Sequence, residues 1–180
     1  MVKEFKKASQ EIVDMLTHGK IGVSSTDTIY GVIGSALSKK VIERVYKLKE
    51  RDPKKPFIIL INSYEDLSAF EIDLTEKLKN FLKKIWPGPI TVILPCDSQR
   101  FEYLHRGKKS LAFRVPKPRW LRNLIKKTGP LVAPSANKSG LEPALLIEEA
   151  RMYFADNVDF YLDKGITSET PSLITQVIRK

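Results

Sequence analysis

Short apolar runs, each bounded by proline, glycine or a polar cluster, constrain the fold of this chain more than any other feature. The run Phe57–Ile61 lies between Pro56 and Asn62 and is too short for a core helix, so it is predicted to be a buried strand. A Pro-Gly-Pro turn directs the chain into another such run at Ile90. Further strands are predicted over residues 21–26, 111–116, 130–134, 158–162 and 172–178.

Segments with helical spacing separate these runs. The apolar face of a predicted N-terminal helix comprises Phe5, Ala8, Ile12, Val13 and Leu16. Gly19 ends this helix, and others are predicted over residues 40–49, 64–70, 74–86, 120–127 and 147–154. The chain has no internal repeat, linker or break in composition. The mixture therefore predicts one α+β (α/β-like) domain over residues 1–180 around a twisted sheet.

Composition narrows the classes of function. No segment approaches the ~18 consecutive apolar residues of a membrane span, so a cytoplasmic protein without membrane association is expected. The single cysteine, Cys96, is predicted to be a packing residue, and two histidines give no metal-ligand cluster. Cys–His and Ser–His–Asp chemistry is therefore poorly supported. The net charge of +10 favours an anionic partner, either a nucleotide or a nucleic acid.

Polar side chains follow the first predicted core strand at once, in the stretch STDTIYG from Ser25 to Gly31. Two explanations are open. Ser, Thr and Asp bond their own backbone in tight turns. The end of a strand is also a rigid place from which polar groups can bind a small molecule.

Cations crowd the segment that precedes the strand at Phe57. Lys49, Arg51, Lys54 and Lys55 lie at a predicted helix end and in a loop that two prolines stiffen. Such cations suit a helix C-terminus because they offset its dipole. They would equally suit a polyphosphate clamp, since Arg bonds phosphate oxygens bidentately. The Walker loop and the Gly-x-Gly-x-x-Gly pattern are both absent, so any ATP site here uses a different cradle.

Polar residues interrupt the apolar pattern of two further predicted strands. Ser135, Asn137 and Ser139 follow the strand that Pro134 ends, which suits either a capping turn or a binding loop. Arg114 lies inside an apolar strand. Because arginine is almost never fully buried unpaired, Arg114 either reaches an edge or meets an anion, and we prefer the anion.

Together these segments resemble a known family. STDTIYG, KER (Lys49–Arg51), WPGPIT (Trp86–Thr91), LAFRVP and APSAN occur in the order and spacing of the YrdC/TsaC threonylcarbamoyl-AMP synthases, over roughly Glu11 to Ile178. The resemblance implies a YrdC/RibB-like three-layer fold, with a twisted mixed sheet flanked by helices and a concave basic cavity. It also implies synthesis of threonylcarbamoyl-AMP and pyrophosphate from ATP, L-threonine and bicarbonate, for N6-threonylcarbamoyladenosine at position 37 of tRNA.

The resemblance carries site residues over position by position. It implies that Lys49 and Arg51 are catalytic and that no protein residue binds a metal. The implied ATP contacts are Arg51, Lys55, Ser110, Ser135 and Asn137. The implied threonine contacts are Thr28, Arg114, Ala133 and Ser172. Mg²⁺ is expected to accompany ATP, and the implied partners are tRNA or double-stranded RNA and a downstream threonylcarbamoyl transferase complex.

Several positions depart from the family pattern. Ser25 and Asp52 stand where proline is usual, Leu60 stands where some relatives have a polar threonine contact, and Leu173 replaces a threonine. These departures concern substrate geometry more than the reaction. Two alternatives remain: a non-catalytic module of this fold that binds double-stranded RNA or tRNA, and a carbamoyl-adenylating domain of the hydrogenase-maturation type. The short chain argues against the second.

Overall fold

A mixed sheet forms the centre of the molecule. The computed structural model describes residues 2–165 and 172–177, and within them nine strands lie in the order β1-β8-β2-β3-β7-β4-β6-β5-β9. Their bounds are β1 Lys3–Phe5, β2 Gly22–Ser24, β3 Gly31–Ser35, β4 Ile58–Leu60, β5 Ile90–Pro95, β6 Ser110–Arg114, β7 Leu131–Val132, β8 Phe160–Leu162 and β9 Leu173–Gln176. The sheet is mixed: β4 with β6 and β2 with β8 are parallel pairs, whereas β2 with β3 and β5 with β6 are antiparallel.

Helices cover both faces of this sheet. They are α1 Gln10–Thr17, α2 Lys39–Lys49, α3 Glu76–Ile85, α4 Glu102–His105, α5 Arg119–Thr128 and α6 Ile147–Phe154, with 3₁₀ turns at Tyr64–Phe70, Gln99–Phe101 and Ala155–Asn157. The apolar stripes of α1 and α5 pack with Leu60 on one face, and those of α2 and α6 pack with Ile59 on the other. Because side chains alternate along a strand, neighbouring strand residues serve separate cores. The three predicted layers result.

The N-terminal helix is shorter than its apolar spacing predicts. Residues Lys3–Phe5 form β1 at the edge of the sheet, parallel to β8, and Phe5 packs edge-on against Phe160 with ring centroids 6.2 Å apart. Helix α1 begins only after Ser9, whose hydroxyl accepts a hydrogen bond from the amide of Ile12 at 3.4 Å. The prediction that Phe5 and Ala8 lie on the helix was wrong, because the cap at Ser9 and the strand partner of Phe5 compete with periodicity there.

Other differences are local. The segment Tyr64–Phe70 is a 3₁₀ helix, and Gly31–Ser35 forms β3, which the sequence did not predict as a strand. The end of the last predicted strand, at Ile178, lies outside the described residues. In the part of the chain that is described, every helix is too short or too polar to cross a bilayer.

Candidate active site

The polar stretches of the sequence meet at one cavity of about 240 Å³ beside the ends of β2, β6 and β7. Its walls combine hydroxyl groups, two guanidinium groups and an apolar surface. The polar lining residues are Thr26, Thr28, Arg51, Arg114, Ser135 and Ser172. The remaining lining residues are Ile29, Tyr30, Gly31, Pro56, Phe57, Ile58, Ala133, Pro134, Pro143 and Ile174.

The loop between β2 and β3 is both a tight turn and a cavity wall. The Thr26 hydroxyl donates to the carbonyl oxygen of Ile29 at 2.7 Å and accepts from the amide of Thr28 at 3.1 Å. The two threonine hydroxyl oxygens are themselves 3.1 Å apart. Gly31 pairs with Ser135 through an isolated antiparallel bridge, which joins this loop to the segment after β7. The tight-turn explanation of STDTIYG is therefore confirmed, while binding of a small molecule by the same loop stays a prediction.

Arg114 meets an anion from its own chain. Its Nη2 lies 3.1 Å from Oδ1 of Asp27, and both side chains are only 4% exposed. The amide of Lys117 donates to Oδ2 of the same carboxylate at 3.3 Å. Burial lowers the pKa of Arg114 and the neighbouring carboxylate opposes that shift. The sequence-based expectation of an anionic partner is confirmed, but with Asp27 in that position. Threonine binding by Arg114 stays a prediction.

Of the two predicted ATP contacts in the basic loop, Arg51 lines the cavity. Arg51 Nε donates to the carbonyl oxygen of Lys55 at 3.1 Å, and its guanidinium lies 5.5 Å from the ring centroid of Phe57. Burial lowers the pKa of Arg51. The Lys55 side chain, in contrast, is exposed and lies outside the cavity lining. Its backbone shapes the loop, because Tyr46 also donates to its carbonyl oxygen at 3.0 Å.

Lys49 lies beneath the cavity rather than in its wall. Only 1% exposed, it donates from Nζ to the carbonyl oxygens of Ser135 and Asn137 and to Asn137 Oδ1 at 3.1 Å. Burial, and secondarily the charge of Arg51, lowers the pKa of Lys49 from 10.5 to about 7. The structure thus gives Lys49 a positioning role between α2 and the segment after β7. Lys49 does not line the cavity, and its catalytic role stays a prediction.

Asn137 and Ser110 also lie outside the lining. The Asn137 side chain organises its own loop, since Oδ1 accepts from the Ser135 hydroxyl at 2.7 Å and Nδ2 donates to the carbonyl oxygen of Leu141 at 2.5 Å. Ser110 begins β6, four residues and therefore about 13 Å from Arg114. An ATP contact from either residue stays a prediction.

The remaining predicted threonine contacts do line the cavity. Ala133 lies in the wall with its amide bonded to the carbonyl oxygen of Ile58 at 2.9 Å. The Ser172 hydroxyl is 2.9 Å from that of Thr91. The structure therefore brings Thr28, Ala133 and Ser172 together from three distant parts of the chain.

Sequence reasoning missed two parts of this site. Asp27 was noted only as one carboxylate in a polar stretch, and no sequence signal pairs it with Arg114, from which it is far removed along the chain. Tyr30 lines the cavity, and its hydroxyl oxygen lies 2.7 Å from Asp163 Oδ1 and 2.9 Å from the carbonyl oxygen of Gly165. The hydrogen bond from Lys6, and after it the one from Tyr30, lowers the pKa of Asp163 to about 2. No sequence signal joins Tyr30 to a residue so distant in the chain.

Comparison with known proteins assigns the family. A family model for Sua5, YciO and YrdC proteins, described as "Telomere recombination", matches residues 14–180. The chain belongs to the Sua5/YciO/YrdC family. The resemblance seen in the sequence is thereby confirmed, and so is the expected mixed sheet flanked by helices.

Two relatives and one solved structure show how far the likeness extends. The threonylcarbamoyl-AMP synthase of Yersinia enterocolitica is 30% identical over 158 residues, which cover 86% of this chain and 83% of that protein. The synthase of Pyrococcus abyssi is 29% identical over 153 residues, and the match spans 84% of this chain but only 45% of that protein. The structure of P. abyssi Sua5 complexed with L-threonine superposes with a TM-score of 0.88 at 25% identity, covering 98% of this chain and 54% of the other.

Proposed function

We propose that this member of the Sua5/YciO/YrdC family is a threonylcarbamoyl-AMP synthase that uses ATP, L-threonine and bicarbonate. The observation that carries the proposal is the convergence of Thr28, Ala133, Arg114 and Ser172 with Arg51 on one cavity. Relatives that bear this activity in their names, and a Sua5 structure complexed with L-threonine, support it. The product would serve threonylcarbamoyladenosine synthesis on tRNA through a separate transferase.

The cavity has room for one small substrate. Its volume of about 240 Å³ is below the ~300–1,000 Å³ that is typical of pockets for drug-sized ligands. An amino acid fits such a space, with its carboxylate at Arg114 and its side chain or amine near the hydroxyl groups. ATP would extend outward past Arg51, where a charge-assisted contact to phosphate oxygens is available.

The proposed reaction needs no protein nucleophile. The threonine amine adds to the carbon of bicarbonate, water leaves, and an N-carboxylate forms. One oxygen of this carboxylate then attacks the α-phosphorus of ATP, and the bond to the bridging oxygen breaks to release pyrophosphate. Arg51 would offset charge on the transferred phosphate, and the cavity walls would hold the two reactants in line.

Mg²⁺ enters this proposal as part of the ATP substrate. Over residues 2–165 and 172–177, His, Cys, Asp and Glu form no group of three or more that could hold a metal. A magnesium ion bound through phosphate oxygens and water requires no such group. The chemistry of the cavity therefore fits an ion delivered with the nucleotide.

Pyrophosphate release should depend on all three substrates. We expect it with ATP, L-threonine and bicarbonate together, and only a background rate when threonine or bicarbonate is omitted, because the attacking carboxylate is then missing. An enzyme-coupled pyrophosphate assay measures this directly. Equal release without threonine would contradict the proposal.

Arg51→Ala should weaken ATP binding by roughly ten- to a hundredfold, since a charge-assisted contact of about 1.5–3 kcal/mol is lost. Lys55→Ala tests the second predicted ATP contact of the same loop. Its side chain is exposed, so water screens any contact with phosphate, and we expect a smaller loss of affinity than for Arg51→Ala. Calorimetric titration with ATP and Mg²⁺ compares the two. Wild-type affinity in Arg51→Ala would show that the loop merely carries solvated charge.

A second candidate function, binding of double-stranded RNA or tRNA without catalysis, is favoured by a basic surface near α5. Lys7, Lys126, Lys127 and Lys164 surround Trp120 there, and no acidic side chain among the described residues lines the same depression. Such a surface suits phosphate backbones. Tight RNA binding without any pyrophosphate release would favour this function over synthesis.

A further inference from the structure

The ion pair between Arg114 and Asp27, at the cavity wall, leaves some of its polar atoms without a hydrogen-bond partner. Although Arg114 Nη2 and Asp27 Oδ1 are 3.1 Å apart, the contact is not aligned as a hydrogen bond. Within the described residues, Asp27 Oδ1 and Arg114 Nε are both buried without a hydrogen-bond partner. Buried polar groups are nearly always satisfied, so these two unmatched atoms show that Asp27 holds only one edge of the Arg114 guanidinium, on a residue that lines the cavity.

Asp27 itself does not reach the ligand. Arg114 lines the cavity whereas Asp27 lies outside the lining. The carboxylate holds one edge of the guanidinium through Nη2 and accepts from the amide of Lys117 in the segment between β6 and α5. It therefore joins the loop after β2 to the segment after β6, and it fixes the direction in which the rest of the guanidinium points.

We propose that Asp27 is the positioning residue that makes Arg114 selective for a ligand carboxylate. The inference rests on the proposed function, in which that carboxylate belongs to L-threonine. A guanidinium held at one edge presents its remaining donors in a fixed fork, and the fork matches the planar geometry of a carboxylate. A neutral carboxamide offers only one acceptor to the same fork.

The test measures discrimination rather than activity alone. Calorimetric titrations compare L-threonine with L-threoninamide for the wild-type protein and for Asp27→Asn. This substitution keeps an oxygen that can accept from the Lys117 amide but removes the charge that orients Arg114. We expect wild type to prefer L-threonine, and we expect Asp27→Asn to lose about tenfold in affinity for L-threonine with little change for the amide.

Two further variants separate positioning from stability. Asp27→Glu keeps the charge and should recover most of the preference for the carboxylate. Asp159→Asn is the matched control, because Asp159 also pairs with an arginine, at 2.5 Å from Arg44 Nη1, but lies outside the cavity lining. We expect it to lower the melting temperature while leaving the preference for L-threonine unchanged.

The outcomes distinguish this inference from the proposed function. If the wild type fails to bind L-threonine at all, the proposed function fails and the inference falls with it. If the wild type prefers L-threonine and Asp27→Asn keeps the same preference, only the positioning role of Asp27 is overturned. A parallel loss for threonine and its amide would also overturn it, because that pattern is general damage to the site.

Discussion

Arg114→Leu is expected to raise the KM for L-threonine by roughly a hundredfold, the largest change in substrate dependence that any single substitution here should cause. The leucine side chain suits the apolar strand but supplies no donor to the threonine carboxylate, and a charged bidentate contact is lost. The affinity for ATP measured without threonine should barely change. Initial rates of pyrophosphate release against threonine concentration, and a separate ATP titration, give the two quantities.

The buried partner of Arg114 complicates this substitution. Removing the guanidinium leaves Asp27 as an unpaired charge, although its side chain is only 4% exposed. Breaking a buried pair in this way lowers the free energy of unfolding by about 3–5 kcal/mol. The double variant Arg114→Leu/Asp27→Leu removes both charges and should recover much of that loss. Its KM for threonine should stay high. A selective loss of ATP affinity in either variant would mean that Arg114 belongs to the nucleotide site.

Sequence patterns predicted the parts of the fold that local physics determines. The run around Ile59 is apolar, short and bounded by proline and asparagine, and it forms β4. The stretch at Trp86 to Thr91 ends α3 and begins β5, as the Pro-Gly-Pro turn requires. Periodicity failed at Phe5, whose apolar side chain fits the face of a helix as well as it fits the edge strand beside β8.

Part of the candidate site was predicted from where polar residues interrupt the apolar pattern. Its hydroxyl groups and cations stand out as polar residues after apolar runs, and so Thr28, Ser135 and Arg51 were found in the cavity wall. What sequence alone does not give is which polar groups satisfy one another. Lys49 was expected at a substrate but its ammonium is already held by Ser135 and Asn137, 86 and 88 positions further along the chain. Long-range pairing of this kind depends on the assembled sheet.

Lys49 should make the stability of the folded protein depend on pH. Its pKa is lowered from 10.5 to about 7 on folding, so between these values the unfolded chain binds more protons than the folded chain and stability rises with pH. From pH 7 to pH 9.5 the rise should be roughly 3 kcal/mol at most. The three oxygen atoms that accept from Nζ favour the protonated amine and so reduce this rise in stability.

Lys49→Met should abolish this rise, because methionine fills a similar space without a titrating group. Urea unfolding of both proteins at several pH values between 7 and 9.5 measures it as a difference, in which other groups that titrate on unfolding, such as Cys96 and Tyr161, cancel. Lys138→Met is the matched control: it lies in the segment that Lys49 holds, but its amine is exposed and pairs with Glu50 at 2.8 Å. It should keep the wild-type slope. Identical slopes for wild type and Lys49→Met would show that Lys49 keeps its proton throughout, and that the oxygen acceptors outweigh its burial.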